Sequence, residues 1–175
     1  MAPDPLGSEP PTPLILGLGN SLREDEGAGL HVIRYLESDS DLPSGVRLMD
    51  GGTGGLHLVG EVADSRELVV VDAAELGAEP GTVRLLAHAE LDGFVNRPSG
   101  WNVHDVGLPD LFAAAALMPE GLPERRAVVA VQPASFSWSE RPSAPVTAAV
   151  PEAARLVREQ VSRWRFGQAP AEAGS

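Results

Sequence analysis

Apolar positions along this chain alternate between two patterns, short unbroken runs and stretches at helical spacing. Leu14 to Gly19 is a run and reads as a buried strand. Gly27 to Ser38 carries Leu30, Ile33 and either Tyr35 or Leu36 at helical spacing, with Pro43 just beyond its end. Val46 to Asp50 reads as a second strand, and the turn Gly51-Gly52-Thr53-Gly54-Gly55 leads into a helix carrying Leu56, Leu58, Val59 and Val62. Glu67 to Asp72 holds Leu68-Val69-Val70-Val71, the pattern of a central parallel strand covered on both faces.

After the turn signal Glu79-Pro80-Gly81, Thr82 to Leu86 reads as a shorter edge strand. His88 to Val103 reads as a long irregular stretch, and loops of that length in a small domain are usually functional or mobile. Asp105 to Met118 reads as a helix that Pro109 would shorten, because proline is tolerated only in the first turn. Ala127 to Val131 is another strand, Gln132 to Pro142 is irregular, and the last helix spans Pro145 to Arg165. Pro151 should kink that helix or mark its true start. Alternating strands and helices predict a single-domain α/β three-layer sandwich, with helices on both faces of a mostly parallel twisted sheet.

Residues 1–13 contain five prolines and few large apolar side chains, so they read as a disordered leader. Residues 167–175 read as a flexible tail, leaving 14–166 as the folded unit. A chain of 175 residues with 43% apolar composition supports one sizeable core. It has no apolar run of membrane-spanning length and no signal-peptide pattern, so the expectation is a cytoplasmic protein without membrane attachment. No long apolar stripe calls for a second copy, which points to a monomer. The net charge of −12, from 25 acids against 13 bases, argues against nucleic acid. Such a surface suits a basic partner segment or simply solubility. Cysteine is absent, so any metal must be held by oxygen and nitrogen.

Leu16-Gly17-Leu18-Gly19-Asn20 begins like a nucleotide-binding loop, but Leu22 stands where the third glycine of that fingerprint belongs. Glu24, Asp25 and Glu26 would repel a phosphate, which makes a nucleotide-binding domain the weaker reading. In a parallel sheet ligands gather beyond the carboxyl ends of the strands. The inferred topology brings Glu26, Asp72 and His104 to that edge, a mixed oxygen and nitrogen set suited to zinc, nickel, iron or manganese. Each has an ordinary alternative: an acid in a first helical turn for Glu26, a cap or solvated strand end for Asp72, and an N-cap for His104. Asp50 and Asp72 are general-base candidates by type. Gly51, Gly52, Thr53, Gly54 and Gly55 suit either close approach by an extended peptide or a tight connection. His31, His57 and His88 are the weaker candidates, His31 and His57 falling inside predicted helices at ordinary surface or boundary positions. Neither a His-Glu-x-x-His helix nor a Gly-x-Ser-x-Gly elbow occurs.

In order and spacing, these segments resemble the hydrogenase maturation endopeptidases. The matching pieces are Gly17-Leu18-Gly19-Asn20 with Asp25-Glu26 and Gly29, then Asp50 to Gly55, Val69 to Ala73, Pro80-Gly81-Thr82, and His104 with Gly107-Leu108. The resemblance implies a protease that trims the C-terminal extension of a nickel-iron hydrogenase large-subunit precursor. It further implies that Glu26, Asp72 and His104 contact nickel carried by that substrate, with zinc or another divalent cation able to take the same place in vitro. Asp50 and Asp72 would then make it an aspartic-type endopeptidase, with Gly51 to Gly55 seating the peptide. Pro109 departs from the family's usual pattern. The alternative within the same fold is a noncatalytic metal-sensing maturation chaperone.

Overall fold

The computed structural model describes residues 12–97 and 107–167. The Leu14–Leu18 run forms strand β1, buried along its whole length. A 3-10 turn at Glu24–Gly27 leads into helix α1, Ala28–Glu37. Strand β2 is Arg47–Gly52, and a second 3-10 turn at Gly55–Leu58 leads into the short helix α2, Val59–Asp64. Strands β3, Glu67–Ala73, and β4, Val83–Ala87, precede helices α3, His88–Val95, and α4, Leu108–Ala115. Strand β5, Arg125–Val131, and helix α5, Ala144–Arg165, complete the described fold.

The five strands lie in the order β2-β1-β3-β5-β4, all parallel except β4, which runs antiparallel to β5 at the edge. Because side chains alternate across a strand, the sheet sends its apolar residues to two cores. Leu14, Leu16, Leu68, Val70 and Val128 pack with Leu58, Val62, Leu91, Phe94, Leu111 and Phe112 on the α2, α3 and α4 side. Ile15, Val69, Val71 and Val129 pack with Val32, Ile33, Leu36, Ala153, Val157 and Val161 on the α1 and α5 side. The expected three-layer α/β sandwich is therefore the architecture.

One expectation needs correction and another is narrowed. His88 to Val95 is helical, because Leu91 and Phe94, three residues apart, drop into the first core and outweigh the helix-weakening Gly93. The last helix begins at Ala144 and continues through Pro151, so that proline is not its start. Pro151 lies on the exposed face, where the carbonyl it leaves unpaired can turn to water while Ala149, Ala153 and Ala154 hold the buried face to the sheet. Pro109 falls in the first turn of α4, and Gly107 precedes the helix.

The first turn of α1 sits directly on the sheet. A Cβ at Gly29 would lie 2.2 Å from the Val71 carbonyl oxygen and 2.4 Å from that of Leu18. Only a residue without a side chain lets the helix touch the ends of β1 and β3, and that contact places the preceding turn beside the carboxyl end of β3.

Candidate active site

The site lies where strand order reverses across the sheet: β1 is flanked by β2 on one side and β3 on the other, and the connections after β1 and β3 leave in opposite senses. In such sheets that crevice, at the carboxyl ends, is where ligands bind. Asp72 stands at the end of β3, one residue past Val71, which pairs with Gly17 of β1. It is only 9% exposed and shares the pleat of Leu68 and Val70. Burial raises its carboxyl to about 7; the Ala73 N–H pulls it back toward the charged form, and the negative charge of Glu26 pushes it further up.

Glu26 approaches from the 3-10 turn after β1. Its position depends on Gly19, whose φ is +129° and where a Cβ would stand 1.8 Å from the Glu26 carbonyl oxygen. The turn folds back onto the strand end, with the Asn20 N–H donating to that carbonyl at 3.3 Å. The side chain of Glu26 pairs with Arg23, Oε2 lying 3.3 Å from Nε. The charge of Glu26 thus adds to the burial that disfavours ionised Asp72, an arrangement that a cation would relieve. Among the described residues no set of three His, Asp or Glu side chains is placed to hold a metal ion. His104, the third expected ligand, lies outside the described residues.

The acidic run divides its labour. Asp25, fully buried, accepts four hydrogen bonds: from the Ala134 and Ser135 N–H groups at 2.7 and 3.1 Å, from the Ser143 N–H at 2.7 Å, and from the Ser143 hydroxyl at 2.8 Å. It clamps the loop after β5 to the turn after β1. Glu24 takes the Ser137 N–H at 3.3 Å. In the sequence Asp25 reads only as one of three acids that would repel a phosphate, since nothing local reveals partners more than a hundred residues away. Gln132 was likewise missed. Buried at the end of β5, it accepts the Leu76 N–H at 2.7 Å and donates to Glu75 at 3.1 Å, fixing the loop after β3.

Asp50 ends up across β1 from Asp72. It pairs with Gly17, follows the pleat of Leu48, and is exposed, with Oδ1 accepting the Gly52 N–H at 3.0 Å. Strand spacing puts the two aspartates about 10 Å apart, on opposite pleats of the sheet. Gly51 and Gly54 are packed against their surroundings, Gly55 is buried, and Thr53 is exposed at the turn. The Gly52 carbonyl accepts the Gly19 N–H at 3.0 Å, joining the glycine turn to the end of β1. Of the other histidines, His31 is half-buried on α1, and His57 and His88 are exposed.

A model of the hydrogenase maturation protease family matches residues 30–160. The hydrogenase expression/formation protein HupD of Rhizobium leguminosarum bv. viciae is 34% identical over 164 residues, 93% of this chain and 80% of that protein. The hydrogenase 2 maturation protease of Escherichia coli is 35% identical over 125 residues, 70% of this chain and 74% of that one. Among solved structures, the hydrogenase maturating endopeptidase HybD of Escherichia coli superposes with a TM-score of 0.75 at 28% identity, covering 90% of this chain and 94% of that chain.

Proposed function

Because this chain belongs to the hydrogenase maturation protease family and is a peptidase, we propose that it removes the C-terminal extension of a nickel-loaded hydrogenase large-subunit precursor. The observation that carries this reading is the Glu26 and Asp72 pair: a buried carboxyl raised to about 7 beside a second acid, at the crevice of a parallel sheet. A divalent cation at this edge would offset both the burial of Asp72 and the added negative charge of Glu26, which also pairs with Arg23. Nickel comes as part of the substrate, and Glu26, Asp72 and His104 are the side chains that meet it.

The peptide to be cut crosses the carboxyl end of β1, between Asp72 on one side and Asp50 with the Gly51 to Gly55 turn on the other. Engagement of the metal by Glu26 and Asp72 fixes the precursor relative to this crevice. Asp50, exposed and across β1, is the carboxylate that takes a proton from the water attacking the scissile carbonyl, and the proton then passes to the departing amine. The chemistry is aspartic in type, and the metal reports that the precursor is loaded. Processing in turn activates the hydrogenase. No described helix is long and apolar enough to cross a membrane, and we place the reaction in the cytoplasm, carried out by a monomer.

The test is to incubate the protein with nickel-loaded and nickel-free large-subunit precursor and to follow the mass of that subunit. Loss of the C-terminal extension from the loaded form alone is expected. Equal cleavage of both forms would remove the metal check, and cleavage of neither would remove the proposed activity.

A further inference from the structure

The loop after β5 is tied down by its polar groups while its aromatic side chains stay in water. In Ser135-Phe136-Ser137-Trp138-Ser139, Ser135 and Ser137 share a hydrogen bond at 2.9 Å, the Ser137 N–H donates to Glu24, and the Ser139 backbone pairs with Leu22 and Glu24 at 3.0 and 2.7 Å. The aromatic residues face water, Phe136 being 42% exposed and Trp138 79%, beside Leu22 at 51%. The four hydrogen bonds to Asp25 hold this loop in a defined shape. Large apolar side chains left in water forgo the gain of burial, so a clustered set on a pinned loop points to a partner.

The cluster is continuous with the carboxylate pair. Arg23 lies with Cζ 5.7 Å from the Trp138 ring centroid, donates to the Phe136 carbonyl at 3.4 Å, and holds Glu26 at 3.3 Å. We propose that Leu22, Phe136 and Trp138 form a docking ledge for an apolar side chain of the precursor segment that runs past Glu26 next to the bond being cut. The inference rests on the function proposed above and names a contact that fixes register along the peptide. A second copy of this chain fits the ledge less well: three side chains offer roughly a few hundred Å², against about 800 Å² per partner in a stable interface.

Trp138→Ala and Phe136→Ala should each raise KM for the nickel-loaded precursor about tenfold and leave kcat within about twofold, the signature of lost binding away from the reacting atoms. Tyr35→Ala, an exposed residue toward the far end of α1, should leave both constants unchanged. Adding precursor to the wild-type protein should shift tryptophan emission to the blue as Trp138 leaves water, and Trp138→Phe should lose most of that shift. Unchanged KM in both alanine variants, a shift that persists in Trp138→Phe, or a wild-type dimer that Trp138→Ala dissociates would each overturn the ledge. If the wild-type protein cuts no precursor, the proposed function fails and the ledge with it; if it cuts and KM does not move, only the ledge fails.

Discussion

The negative charge of Glu26 bears on Asp72, a buried carboxyl at the end of β3, and together with burial raises it to about 7. Ionising Asp72 against burial and a neighbouring negative charge lowers the stability of the fold, a strain that the positive ion of the function proposed above would relieve.

That strain has a measurable pH dependence. Asp72 binds its proton more tightly in the folded protein than in the unfolded chain, where the ordinary carboxyl value of 3.8 applies. Its contribution is therefore neutral below pH 4, becomes destabilising as pH rises from about 4 to 7, and is constant above that, at an upper bound of roughly 4 kcal/mol. Asp72→Asn removes the titrating group. Urea unfolding should show the variant about as stable as the wild type at pH 4 and a few kcal/mol more stable at pH 8. A constant difference across that range would contradict the raised value.

The same proton competes with a cation. Below pH 7 the apparent affinity of the isolated protein for nickel or zinc should fall by about tenfold per pH unit, and above pH 7 it should level off. Calorimetric titration at several pH values checks this. Glu26→Gln should weaken binding and, by removing the charge that pushes Asp72 up, move the level region to lower pH. An affinity indifferent to pH between 5 and 7 would show that Asp72 is not a ligand.

Asp25 predicts a purely structural effect of large size. Asp25→Ala leaves the donors of Ala134, Ser135 and Ser143 without their buried acceptor, and bonds to a charged group are worth about 1.5–3 kcal/mol each. Loss of at least about 3 kcal/mol is expected, together with faster proteolysis between residues 134 and 143. Asp25→Asn keeps one acceptor oxygen but turns an NH2 toward donors, so it should also destabilise, by a smaller amount. Wild-type stability in the alanine variant would mean that the clamp does not hold the loop.

How much of this was legible in the sequence follows from how far each signal reaches. The β-branched run Leu68 to Val71 and the strand Ala127 to Val131 are local patterns, and both are central strands. Placing Asp72 at the crevice needed only the end of that run and the rule for parallel sheets. Helix α3 was hidden because Gly93 interrupts eight residues whose helical state is decided by Leu91 and Phe94 finding a core. The role of Asp25 was out of reach, since its donors lie 109 to 118 residues away and become neighbours only after β5 is laid beside β3. Gln132 to Pro142 reads only as irregular in the sequence, because what shapes Ser135 to Ser139 is the Asp25 clamp from the other end of the chain.

Gly19 is where the two readings of the first glycines part. In a nucleotide-binding loop the space above such a glycine receives phosphate oxygens. Here it holds the carbonyl oxygen of Glu26, which a Cβ would meet at 1.8 Å, with φ at +129°. Gly19→Ala must therefore push the Glu26 turn away from the strand and also strain its own backbone, at a combined cost of several kcal/mol. Because the turn carries Glu26, precursor processing should be lost even at temperatures where circular dichroism shows the variant still folded. Since the protein's own backbone already fills the phosphate position, neither ATP nor NAD should raise the melting temperature of the wild-type protein. A clear nucleotide-induced rise, or normal processing by Gly19→Ala, would show that this turn is not what positions Glu26.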